Sequence, residues 1–231
     1  MEAVRSQKGG SVWSLISPVT VSDNKISEGG TDTGFYSHQR TMLPPAMQIY
    51  YAAYASNTIS TTLSAEAIFF TLATEPPSHV TGFTASTAGT TAIDLSWIPV
   101  VPGADGYLIL QKQGVVAPAA LPSDAMQYPP GFILGDAIVT ANVLPGTAGS
   151  CTINGLSPGT AYTFSVFPFT WDGANIQTIN YLTQAPVPVA SASTGVPSAA
   201  TYHWTGAAGN DWGVAGNWSP IRSIPASRLK S

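Results

Sequence analysis

The chain has 231 residues, of which 44% are hydrophobic and only 9% charged, with 22 Gly, 19 Pro and a formal net charge of −4. Intrinsic disorder needs the opposite balance, and the 8 Lys and Arg are too scattered to form the basic patch that nucleic acid requires. No apolar run approaches the ~20 residues that span a bilayer, so membrane insertion is not expected.

Thr, Ser, Val and Tyr, broken by Pro and Gly, favour short strands and turns throughout. The opening MEAVRSQKGGSVW lacks the apolar centre of a signal peptide. Residues 1–74 and the linker that follows supply three strand-rich stretches: GGSVWSLISPVTVSDNKISEGGTDTGFYS (9–37), LPPAMQIYYAAYASN (43–57) and AEAIFFTLATEP (65–76). Alternation through the second places Tyr50 and Tyr54 opposite Tyr51 and Ala53, with the first pair expected to face outward. Asp23, Glu28 and Asp32 form the one local acidic group, a solvated loop with at most weak affinity for calcium.

Residues 77–195 read as a second unit. VTGFTAS (80–86) is a first strand, and TTAIDLSWIPV (90–100) alternates Ile93, Leu95 and Trp97 against Asp94 and Ser96. ADGYLILQKQG (104–114) carries Tyr107 and Ile109 on one face and Leu108 and Leu110 on the other. That fits a central strand or one whose outer face is covered. Asp94 and Asp105 read as residues keeping an outer surface wet. A Pro- and Gly-rich excursion over 115–149 contains one strand candidate, DAIVTANV (136–143). In SCTINGLSPGTAYTFSV (150–166), Ser-Pro-Gly is turn chemistry and Tyr162 follows Leu156 at the spacing of a tyrosine corner. A last strand is expected around IQTINYLT (176–183).

The order LSW, DGYLIL, GLSPGTAYTFSVF, NYLT resembles the fibronectin type III repeats of bacterial, Bacteroidetes-like, secreted and cell-surface proteins. The resemblance implies an all-β, immunoglobulin-like antiparallel sandwich, with Trp97, Leu156 and Tyr162 on the family's core and corner positions. Residues 1–74 resemble a partial domain of the same kind that lacks its first strands. There the slot six residues after Leu43 holds Ile49, which has no hydroxyl for a corner bond. Unpaired edges on such a unit would favour edge-strand self-association. Residues 199–231, with Trp204, Trp212 and Trp218 among Gly and Asn, look like the truncated start of a further β-rich module, disordered or loosely packed, whose tryptophans await a core. The whole reads as a piece of a longer protein or as a truncated reading frame.

No catalytic signature is present: no Gly-x-Ser-x-Gly, His-Glu-x-x-His, phosphate-binding glycine loop or paired-cysteine metal site. His38, His79 and His203 are separated in sequence and read as solvated loop residues, while Cys151 shares the parity of Ile153 and reads as a core thiol. Neither a catalytic residue, a metal nor a cofactor is therefore expected. The candidate ligand-contacting residues are the aromatics Tyr50, Tyr54, Phe169 and Trp171, whose rings can stack on sugars or anchor a protein. The resemblance implies a non-catalytic extracellular spacer or adhesion repeat, with a protein or polysaccharide partner at the cell surface. The alternative is a carbohydrate-binding accessory module of a secreted polysaccharide-degrading enzyme.

Overall fold

A computed structural model describes residues 8–27, 37–146, 148–198, 202–210, 212 and 214–219. The chain divides into two compact units, residues 1–195 and 196–231. The described regular structure is almost entirely β, as expected from the alternating sequence.

The first unit opens with a sheet of β1 (Lys8–Ser14), β2 (Asn24–Ser27), β3 (Gln48–Ser56), β4 (Thr61–Leu63) and β5 (Ala67–Phe70). Its order is β2-β1-β3-β4, with β5 also pairing β3. All pairings are antiparallel. One face gathers Val12, Ala52 and Tyr54 with Val19 into a small buried cluster, against which Tyr50 and Leu63 pack. Gly10 is required beneath Tyr54, because a Cβ there would strike the Ile26 carbonyl and the tyrosine ring.

The remaining strands of this unit form a two-layer sandwich. They are β6 (Thr81–Thr87), β7 (Ile93–Ile98), β8 (Gly106–Gln113), β9 (Ile133–Leu134), β10 (Ala137–Val143), β11 (Ser150–Ile153), β12 (Ala161–Thr170), β13 (Asn180–Tyr181) and β14 (Val189–Ser193). A sheet ordered β13-β12-β8-β10-β9, with β14 also on β12, packs against a sheet ordered β11-β7-β6. Between them lie Trp97, Leu95, Ile93, Ile153, Leu156 and Tyr162, together with Tyr107, Ile109, Phe164 and Val166. Fully burying one such apolar side chain contributes about 1.5–3 kcal/mol, which explains why two faces alternating at period two close on each other.

The tyrosine corner forms: the Tyr162 hydroxyl accepts a 3.0 Å hydrogen bond from the Ser157 amide. Gly159, at φ +61°, makes the intervening turn, a conformation that L side chains seldom adopt.

The outer face of the larger sheet is buried as well, so the apolarity on both sides of β8 reflects a central strand with both faces covered. Leu108, Leu110, Val139, Phe167, Phe169, Ile179 and Tyr181 join Tyr128 of the excursion in a second core. Asp124 fastens the excursion by accepting from the Tyr181 amide at 2.8 Å, and Tyr181 donates its hydroxyl to the Met126 carbonyl at 3.1 Å.

The expected last strand is shorter than the sequence implied. Ile176–Thr178 is a 3₁₀ turn and only Asn180–Tyr181 is strand. The missed β14 completes the sheet by pairing with the first half of β12.

In the second unit, β15 (His203–Trp204) and β16 (Trp218–Ser219) form a two-stranded ladder. Trp204 stacks on Trp212 at 4.8 Å, and Trp218 meets both edge-on. These tryptophans therefore pack on one another, whereas the sequence suggested that they wait for a core.

Candidate interaction surface

The four aromatics singled out by sequence do not converge: Tyr50 and Tyr54 lie on β3, Phe169 ends β12, and Trp171 follows it. The outward orientation expected for Tyr54 is corrected by its 2% exposure. It belongs to the buried cluster of the first sheet, with the Lys25 ammonium 4.1 Å from its ring centroid. Tyr50 is half-buried on the same face. Phe169, 5% exposed, is also a core residue: its ring fills the space a side chain would take at Gly106, its cross-strand partner. It lies 5.4 Å from the Tyr181 ring. Trp171 is half-buried against that outer core, and its amide donates to Asp105 at 2.9 Å.

The exposed aromatics of the first sheet are the ones of opposite parity. Tyr51 and Phe69, each 40% exposed, meet edge-to-face at 5.6 Å. With Trp13, Ile49 and Ala53 they floor an open groove of about 550 Å³. Leu43 and Arg40 border it. The Arg40 guanidinium donates to the Ser11 carbonyl at 2.5 Å and to the Ser11 hydroxyl at 2.8 Å. His38 Nδ1 lies 2.9 Å from the same hydroxyl. Partial burial lowers the Arg40 pKa from its ordinary value, with the neighbouring Tyr54 opposing that shift. Alternation along β3 showed two faces in sequence, but not which one the Val12–Val19 cluster would cover. A one-residue change of parity exchanges inside for outside.

His79 Nε2 lies 2.6 Å from the Gln184 carbonyl, and His203 is exposed in the second unit. Asp94 accepts from the Thr152 hydroxyl at 2.6 Å. Asp23 accepts from the amide and hydroxyl of Thr20, while Glu28 and Asp32 lie outside the described residues. No group of three or more His, Cys, Asp or Glu side chains placed to hold a metal occurs among the described residues. Cys151 is half-buried, and burial, reinforced by the Asp94 charge, raises its thiol pKa to about 11.

No match is found among curated proteins. Among solved structures, the chain is similar to chicken CNTN1 FN1-FN3 domains at 17% identity and a TM-score of 0.43, covering 80% of this chain and 56% of that one. It is also similar to the fn3 domain of human collagen alpha-1(XX) chain at 17% identity and a TM-score of 0.33, covering 54% and 90% respectively. The present chain thus spans little more than half the length of the CNTN1 structure. The family model "Fibronectin type III domain" matches residues 76–179, the stretch holding the Trp97 core and the Tyr162 corner, and the sandwich has the fibronectin type III fold.

Proposed function

We propose that this chain is a non-catalytic extracellular module, a spacer or adhesion repeat of a larger bacterial surface or secreted protein. The observation carrying this reading is the way the segment joining the first sheet to the sandwich is fastened. The Ala73 amide donates to the Thr178 carbonyl at 2.8 Å, and the Asn180 side chain donates to the Ala73 carbonyl at 2.7 Å. The Thr170 hydroxyl donates to the Thr74 carbonyl at 2.6 Å. A joint held by three hydrogen bonds resists bending, which suits a part that holds its neighbours at a set distance. Fibronectin type III domains are in general non-catalytic modules, which supports the same reading.

Small-angle X-ray scattering of the full chain tests it. The double variant Thr170→Ala/Asn180→Ala should raise the radius of gyration and broaden the distance distribution. Superimposable curves would remove the stiff joint from the argument, and the spacer role with it.

A carbohydrate-binding accessory role is the second reading, and the exposure of Trp212 at 64% favours it. An indole face open to solvent beside the stacked Trp204 offers a platform for a sugar ring. Affinity electrophoresis through soluble polysaccharides would show retardation that Trp212→Ala abolishes. Equal mobility of both proteins in every gel would dismiss this role.

A further inference from the structure

The first sheet repeats the strand plan of the larger sandwich sheet, and the repetition indicates what belongs on its groove. In the sandwich, β10, β8 and β12 lie side by side, with β13 on the C-terminal half of β12 and β14 on its N-terminal half. In the first sheet, β2, β1 and β3 lie side by side, with β4 on the C-terminal half of β3 and β5 on its N-terminal half. Ile49 and Tyr162 each stand second in their strands, so Ile49, Tyr51 and Ala53 repeat the parity of Tyr162, Phe164 and Val166.

In the sandwich that face is covered by β6, β7 and β11, which leave Phe164 and Val166 at 0% exposure. On the same face of the first sheet Ile49 is buried, whereas Tyr51 and Phe69 stay 40% exposed. A sheet with an apolar face is stable when a second layer covers it, and an exposed apolar patch rimmed by polar groups marks an interaction site. Here the rim is Arg40 and His38, with no acidic side chain lining the groove among the described residues.

We propose that this groove is a docking face for a partner polypeptide presenting an apolar antiparallel β-hairpin, the counterpart of β6–β7, with carboxylates or free carbonyls at the margin that meets Arg40. Duplication of the sheet accounts for the layer, and the cationic margin accounts for its charge. The proposal is independent of the spacer role, because it rests on the groove and not on the joint at Ala73.

The probe is a further copy of residues 78–101, the β6–β7 hairpin sequence, joined ahead of Met1 of the full chain by a flexible Gly/Ser linker. Tethering keeps the local concentration in the millimolar range, so weak intrinsic affinity does not hide docking. Hydrogen exchange of the β3 and β5 amides should slow about tenfold relative to a scrambled extension, a change read as local stabilisation. In Tyr51→Glu the difference between the hairpin and the scrambled extension should vanish. Exchange no slower than with the scrambled extension overturns the proposal. Slowing that appears without any extension as the chain's own concentration rises, and that Tyr51→Glu removes, overturns it in favour of a second copy of this chain.

Discussion

The hydroxyl of Tyr107 donates a 2.7 Å hydrogen bond to the carbonyl of Gly146, 39 residues further along the chain. It also accepts one from the Val100 amide at 2.9 Å. One phenol at the start of β8 thereby ties together the ends of two loops. Burial raises its pKa from the ordinary tyrosine value, with the Val100 hydrogen bond opposing that shift. Tyr107→Phe leaves a buried amide and a buried carbonyl without this partner, each worth about 1–3 kcal/mol. Urea denaturation should show a lower midpoint with an unchanged slope. Gly146→Ala should be comparably damaging, because its Cβ would run into the Ala104 carbonyl.

The corner bond is smaller in effect. Tyr162→Phe keeps the ring in the core and removes only the contact to the Ser157 amide, so a loss of about 1 kcal/mol is expected. Trp97→Ala empties the centre of the sandwich and should cost about 3–5 kcal/mol. Equal effects from the two variants in chemical denaturation would contradict the packing described for Trp97.

Cys151 should resist alkylation. A thiol raised to about 11 from an ordinary value of 9.0 holds roughly a hundredth of the usual thiolate at pH 8. Iodoacetamide should therefore label the native protein slowly and the urea-unfolded protein quickly. Matching rates would mean that the thiol is not sequestered beside Asp94.

Asp172 gives a pH signature. Burial opposes its ionisation, but hydrogen bonds from the side chain and amide of Asn175, the Ala174 amide and Thr178 outweigh it and hold the carboxyl at about 2. A folded-state value below the unfolded one of 3.8 means that the carboxylate stabilises the fold above roughly pH 4. That contribution is lost as pH falls from about 4 through about 2. Melting curves of the native protein and of Asp172→Asn should differ at pH 6 and converge near pH 2. A constant gap across that range would exclude the linkage.

Residues with strict alternation and large side chains announced their positions in the sequence. Ile93, Leu95 and Trp97 face the core as their parity required, and Tyr162 makes its corner. β14 escaped notice because Val189-Ala-Ser-Ala-Ser carries almost no apolar contrast. It is a strand because β12 offers it an unpaired edge, a property of the partner and not of the segment. Phe169 looked available for a ligand because its sequence neighbours are a turn. Its burial depends on Gly106, which lies far away in the chain and leaves room for the ring. Tyr54 was misjudged because alternation defines two faces equally well, and the choice between them fell to Val19 in a loop. The tie from Tyr107 to Gly146 could not be read from pattern, since hydroxyl geometry leaves no trace in periodicity.

The stretch 115–136 crosses the outside of the larger sheet, with Asp136 accepting from the Ala119 and Ala120 amides and holding Lys112 at 2.7 Å. Long surface connections are ordinarily the parts that an engineer trims or replaces without harm. This one behaves as a lid sealed over greasy rings, so excising it would convert the sheet's back into a sticky wall. The sites suited to grafting lie at the tips between strands, and the broad flank beneath the excursion is unsuited to carrying a new binding surface.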